Sequence, residues 1–345
     1  MHVRPFLAPW PLRIALAAAT AIAPSLAALA GERLFLTPPR RRASRDEREA
    51  LAAGETFAVQ AGRERLRAWR FGAGPTVLLV HGWGGGGGQL AAFVPSLVAA
   101  GCAVVTFDAP AHGASTGRLA SGLSFAEAVS AVAAHVEARA AIGHSMGAAG
   151  LGWALAGGLH LDAAVMLAPP RGAAPFFHRF CDALVLQEHV RDALRGRIRR
   201  RYGIAPEDFD LLRRVANASL PLLVIHDGDD REVPWEDGEA IARAWPGAVL
   251  VRTERLGHRR ILRSASVTAQ AVAFVQRHLP RCACGRVACR AVGSEAWCDA
   301  CALERELYDP SRRPSASPEP IRTGEGGRSR PASLTPRTGS APAGP

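Results

Sequence analysis

The sequence contains no lysine. All 42 basic residues are arginine, spread along the 345 positions, and the formal net charge is +11. Such a balance can mark a nucleic-acid surface. Here the arginines are not interleaved with stacking aromatics in any recognisable RNA- or DNA-binding module. Lysine-free, Ala- and Arg-rich usage reads as a biased genome rather than a binding surface, and no nucleic-acid partner is expected.

Long runs of strongly apolar residues are also missing. Residues 14–31 carry no charge, but half of them are alanine, and Pro24 and Ser25 interrupt them. Arg4 and Arg13 precede the stretch. Arg33, Arg40, Arg41, Arg42 and Arg45 follow it, where basic residues oppose translocation. Residues 1–31 are therefore expected to form a hydrophobic helix of a cytoplasmic protein, docked on its own domain or lying on a membrane surface as a peripheral contact. The alternative is an exported chain cleaved after Ala28-Leu29-Ala30.

An even set of cysteines is lacking too, which argues against a closed disulfide framework. Five of the seven cysteines fall in CACGRVACRAVGSEAWCDAC, residues 282–301. Two close pairs, C-x-C and C-x-x-C, suit a tetrahedral thiolate zinc site formed by Cys282, Cys284, Cys298 and Cys301, with Cys289 in reserve. Residues 281–309 are thus expected to form a Cys-rich zinc module, and residues 310–345, rich in Ser, Pro, Arg and Gly, a disordered tail. Cys102 and Cys181 read as small buried hydrophobes.

What the chain does have is apolar alternation across residues 50–280, in a sequence that is 48% hydrophobic. Short apolar runs at residues 76–80 (TVLLV), 103–107, 140–142, 163–167, 222–226 and 248–251 are separated by helix-length segments at 89–99, 125–137, 146–155 and 236–244. Two further strands are expected at 57–60 and 66–71. This is the pattern of an α/β fold with a mostly parallel sheet covered by helices on both faces. Residues 171–220 fit no strand and read as a helical cap. Its Phe176, Phe177, Phe180, Leu184, Leu186 and Phe209 are expected either to line an acyl pocket or to seat the cap on the core. The arginines between Arg191 and Arg201 read as a solvated helix face.

In such sheets ligands bind where the strands end, and the residues there carry chemistry. After TVLLV comes His81-Gly82-Trp83 and a glycine run to Gly88. Gly143-His144-Ser145-Met146-Gly147 has the G-x-S-x-G pattern of a nucleophile on a strand-to-helix turn. Asp227, Asp229 and Asp230 follow LLVIH, and His258 follows the last strand. His81 and His112 read as loop-ordering residues that bond backbone, and His144 and His226 as packing.

Taken together, these motifs resemble the α/β-hydrolase superfamily, nearest to bacterial esterases and to lysophospholipase-like or monoglyceride-lipase-like serine hydrolases. The resemblance implies a Ser145–His258–Asp230 triad that cleaves carboxylic esters without a cofactor, with the backbone N–H groups of Trp83 and Met146 as the oxyanion hole. Asp230 is chosen over Asp227 and Asp229 because His226, Asp230, Val233 and Pro234 match the family's pattern; those other two aspartates are expected to cap the turn. Asp227 departs from the pattern, standing where glycine is usual. The same residues would also serve an acyltransferase or thioesterase. An interaction protein, recruited to a membrane or partner through its basic amino end and Cys-rich module, is the alternative outside catalysis.

Overall fold

The computed structural model describes residues 9–11, 14, 20, 22–39, 41–215 and 218–280, together with Cys284, 290–292, 295–298 and Cys301. Helices α1 (Pro24–Leu36) and α2 (Arg45–Ala52) come first, then strands β1 (Glu55–Ala61), β2 (Glu64–Phe71) and β3 (Thr76–Val80). Next are α3 (Val94–Ala99), β4 (Ala103–Phe107), α4 (Gly122–His135), β5 (Ala138–His144), α5 (Met146–Ala156) and β6 (Ala163–Leu167). Cap helices α6 (Ala174–Ala183) and α7 (Glu188–Tyr202) precede β7 (Leu222–Asp227), α8 (Trp235–Ala244), β8 (Val249–Thr253), α9 (Gly257–Arg260) and α10 (Ala265–His278). A hairpin of β9 (Arg290–Val292) and β10 (Glu295–Trp297) lies among the cysteines.

The eight-stranded sheet runs β1-β2-β4-β3-β5-β6-β7-β8. From β4 to β8 all neighbours are parallel, while β1 and β2 form an antiparallel hairpin joined antiparallel to β4. Strands β3, β4 and β6 are buried at every residue, which is why they read as unbroken apolar runs rather than as alternation. One face packs on α4, α5 and α8 through Phe125, Val129, Leu151 and Ile241. The other packs on α3 and α10 through Leu97, Val267, Ala271 and Val275. The segment expected to be a helix over 89–99 is broken: a 3-10 turn over Gly87–Phe93 gives way to α3, which has Pro95 in its first turn, where the missing N–H costs nothing.

The amino-terminal segment is docked within the chain. Ala27, Ala28 and Leu36 of α1 are buried in one cluster with Phe177, Phe180, Leu184, Leu186, Val190, Leu194 and Ile198 of the cap. Glu32 of α1, 1% exposed, accepts bonds of 2.6 Å from both Arg197 and Arg201 of α7. The arginine run is thus not simply a solvated face: Arg191 pairs with Asp182 and Arg195 with Glu207 as well, while Arg199 and Arg200 stay exposed. Replacing Glu32 by alanine leaves two half-exposed guanidiniums beside an apolar seam. We expect Glu32→Ala to lower stability by about 1–3 kcal/mol in urea unfolding; an unchanged midpoint would show that the contact contributes nothing.

Candidate active site

Strand β5 ends at His144 and α5 begins at Met146, so Ser145 alone makes the turn, at φ 52° and ψ −121°. A positive φ on a residue with a side chain costs on the order of 1–3 kcal/mol and persists only where its surroundings hold it. Ser145 N donates to Leu167 O at 2.9 Å, and its own carbonyl accepts the N–H of Ala149 at 3.0 Å. A β-carbon at position 147 would lie 2.3 Å from the His81 carbonyl oxygen, so only glycine lets the elbow sit this close to β3. From the same segment, a β-carbon on Gly82 would stand 3.1 Å from Ser145 Cβ. The His81–Trp83 segment therefore passes directly against the serine. Met146, as the first residue of α5, has an N–H without an intrahelical acceptor.

His81 and His112 hold that segment, as expected of loop-ordering residues. His81 Nδ1 donates to Gly82 O at 2.7 Å, and its Nε2 accepts from Ala109 N at 2.9 Å. His112 Nδ1 donates to Pro110 O at 2.8 Å, and its Nε2 accepts from Gly84 N at 3.0 Å. Each ring gives one proton and takes one, so both work as neutral imidazoles. Burial pushes each pKa down to about 4, helped at His112 by the neighbouring His81.

The acid and base sides converge from β7 and β8. His258 Nδ1 lies 2.7 Å from Asp230 Oδ2, and the other oxygen, Oδ1, accepts the N–H groups of Glu232 and Val233 at 2.8 and 2.9 Å. Burial works against the charged carboxylate, but the contacts with His226 and His258 outweigh it and hold Asp230 well below the usual range. With Nδ1–H given to Asp230, the Nε2 of His258 carries the lone pair. Two histidines read as packing make contacts here. His226 Nε2 donates to Val233 O at 3.2 Å and stands 3.4 Å from Asp230 Oδ2. His144 Nε2 donates to the His258 carbonyl at 2.9 Å, with the two rings 4.7 Å apart, which ties the histidine loop to the elbow. The carboxylates of Asp227 and Asp229 are engaged instead with residues 253–257.

A family model described as the alpha/beta hydrolase family matches residues 77–273. The chain belongs to that family. Among solved structures it is similar to an esterase from Pyrococcus furiosus, with TM-score 0.54 and 18% identity over 70% of this chain and 97% of that one. It is also similar to an esterase from Exiguobacterium antarcticum, with TM-score 0.52 and 16% identity over 64% and 100% of the two chains. A bromoperoxidase from Bacillus anthracis matches with TM-score 0.52 and 18% identity over 65% and 100%. At these identities the likeness is one of fold. No curated protein matches in sequence.

In this hydrolase five of the six expected cap side chains seat the cap, while Phe176 is half-buried with Arg179 over its ring at 4.5 Å. Phe177, Phe180, Leu184 and Leu186 pack against α1, and Phe209 stacks on Trp153 with ring centroids 4.5 Å apart. The glycine run is likewise occupied by the chain itself: a β-carbon on Gly84 would meet Pro39 at 2.8 Å, and one on Gly88 would meet Glu47 at 2.7 Å. Of the expected zinc ligands, the structure brings Cys284, Cys298 and Cys301 together, their sulfurs within 4.8 Å of one another. Cys282 and Cys289 lie outside the described residues. Cys102 and Cys181 are fully buried, and burial pushes both thiols up to about 11. No described helix is long and apolar enough to cross a membrane.

The two buried imidazoles set an acid limit. His81 and His112 titrate near 6.5 when unfolded and near 4 when folded, so the unfolded chain takes up protons first. Their neutral burial therefore leaves stability intact above pH 6.5 and erodes it as pH falls to 4, at about 1.4 kcal/mol for each tenfold difference in proton affinity. Urea unfolding at several pH values across this window is expected to show the decline, and His112→Gln to flatten it; a pH-independent wild-type midpoint would contradict the assignment.

Proposed function

We propose that this hydrolase cleaves carboxylic esters through an acyl-enzyme on Ser145. The supporting observation is the buried 2.7 Å contact of His258 with Asp230, on a loop bonded to the serine's own neighbour, His144. His258 Nε2 takes the Ser145 proton as the hydroxyl attacks the ester carbonyl, then returns it to the departing alcohol. The backbone N–H groups of Trp83 and Met146 receive the oxyanion. Asp230 keeps the imidazole in the Nδ1–H tautomer and stabilises the imidazolium. Water, activated in turn by His258, releases the acid, and no cofactor enters the chemistry. The esterases among the structural relatives agree with this reading. A medium acyl chain loses the support of Phe177, Phe180 and Phe209, which are spent on packing.

An acyltransferase or thioesterase would use the same residues on another acceptor or leaving group. A recruitment protein would need the tail but not Ser145. The docking of Ala27 and Ala28 under the cap favours a retained amino-terminal segment in a cytoplasmic protein. Exposed Ile22, Leu26 and Leu34 leave a face on that segment for peripheral membrane contact.

The Cys-rich module holds a structural zinc in this reading. Zinc–sulfur bonds of about 2.3 Å in a tetrahedron set sulfurs roughly 3.8 Å apart. Cys284 and Cys298 stand at 3.5 Å, brought together by the β9–β10 hairpin that separates them in sequence. The fourth thiolate comes from Cys282, with Cys289 in reserve.

Two measurements test these readings. Wild type is expected to hydrolyse p-nitrophenyl esters of graded chain length and to label with a fluorophosphonate probe, Ser145→Ala to do neither, and Asp230→Asn to lose on the order of 10⁴ in turnover. Turnover that survives Ser145→Ala would remove the serine from the chemistry, and a wild type that turns over none of these esters would favour recruitment over catalysis. Protein purified reduced and without chelator is expected to carry about one zinc per chain; metal analysis finding none would remove the zinc site.

A further inference from the structure

Asp227 ends β7 at the position where the resemblance leads one to expect glycine. Its carboxylate is wholly buried and has four donors. Oδ2 accepts from Thr253 Oγ1 at 2.8 Å and Leu256 N at 3.1 Å; Oδ1 accepts from Gly257 N at 2.8 Å and Asp229 N at 3.0 Å. Only the last of these is the turn-capping bond expected from the sequence. The other three reach across to the turn that leads into His258.

That turn cannot hold itself. Between the end of β8 at Thr253 and the imidazole, Arg255 and Gly257 both take left-handed backbone, at φ 61° and 64°. For an arginine this conformation is strained, and it survives only where outside contacts fix it. The contacts are the neighbouring carboxylates: the successive N–H groups of Arg255, Leu256 and Gly257 go to Asp229, Asp227 and Asp227. His258 is the next residue. Its direction toward Asp230 is therefore set at its backbone by one aspartate and at its ring by another.

We infer that Asp227 is a positioning residue for catalysis, whose carboxylate fixes the 253–257 turn so that the His258 ring meets Asp230 and Ser145 together. The inference rests on the Ser145–His258–Asp230 reading. The four bonds of the Asp227 carboxylate go to Thr253, Leu256, Gly257 and Asp229 and none to the imidazole, so it acts through His258. Its nearest chemical relative, asparagine, keeps the shape, one acceptor oxygen and three of the four contacts. With the amide nitrogen in place of Oδ2, Thr253 Oγ1 can reverse and accept, and only the Leu256 N–H is left facing a donor. Glycine removes every acceptor.

The test compares Asp227→Gly, Asp227→Asn and Asp230→Asn in the full chain, reading kcat, KM, the rate of fluorophosphonate labelling at Ser145 and the melting temperature. Misplacing a general base by about 1 Å costs about 10² in rate. Asp227→Gly is expected to lose about that much in kcat and in labelling rate, with KM within about twofold, and Asp227→Asn to recover to about three- to tenfold below wild type. A folded Asp227→Gly with kcat within about threefold of wild type, or one whose loss lies wholly in KM, overturns the inference. If the glycine variant does not fold, asparagine decides: a folded Asp227→Asn must lose about threefold or more in kcat, and wild-type turnover overturns the inference. Asp230→Asn separates the two layers. If it turns over normally, the triad reading fails; if it is dead while Asp227→Gly is normal, only the role of Asp227 fails.

Discussion

The carboxyl edge of the sheet depends on buried side chains that accept backbone N–H bonds. The loops there have no ladder or helix to satisfy their donors, and an unpaired buried donor costs about 1–3 kcal/mol. Asp108 takes Gly87 N and Ala114 N, each at 2.7 Å; His81 takes Ala109; His112 takes Gly84; Asp230 takes Glu232 and Val233. The loop of Trp83 and the turn before His258 are thereby fastened by polar side chains of a neighbouring strand end or loop, and the loop of Asp230 by its own carboxylate. The serine is the exception in kind, being held by the strand and helix it joins.

This fastening explains why the site contains more titratable groups than the reaction needs. Asp108, Asp227, His81, His112, His144 and His226 are all buried within the same edge. Burial holds His81, His112 and His144 neutral, and a backbone carbonyl takes the one ring proton of each. Neutral imidazoles that both give and take a proton, and carboxylates ringed by N–H groups, are two solutions to one packing problem, and both leave His258 and Asp230 to meet each other.

Much of this was legible in the sequence, and the limits have physical causes. TVLLV reads as a doubly buried strand because both its faces are covered. The elbow reads from Gly143 and Gly147 because steric exclusion leaves no other residue there. The antiparallel sense of β2 could not be read, since side-chain alternation is the same in either direction. Helix α2 was missed although Ser44 and Glu47 form a capping box, with Glu47 N to Ser44 Oγ at 3.2 Å and Ser44 N to Glu47 Oε2 at 2.7 Å. Helix α10 was missed as well, its apolar residues Val267, Ala271, Val272 and Val275 having the spacing of a buried face. The role of Asp227 was hidden for a different reason: its partners lie up to 30 residues away, and spacing does not reveal which donors a buried carboxylate will meet.

The docking of α1 on α7 joins the start of the chain to a helix made much later. Glu32 and its two arginines are 165 and 169 residues apart in sequence. At translation speeds of about 5–20 residues per second, the apolar face of α1 waits roughly 8–30 s for α7 to emerge. During that interval Ala27, Ala28 and Leu36 stand as open hydrophobic surface on the nascent chain, within reach of any chaperone or targeting factor that scans for it. Helix α1 finds its partner only after strands β1 to β6 have been made.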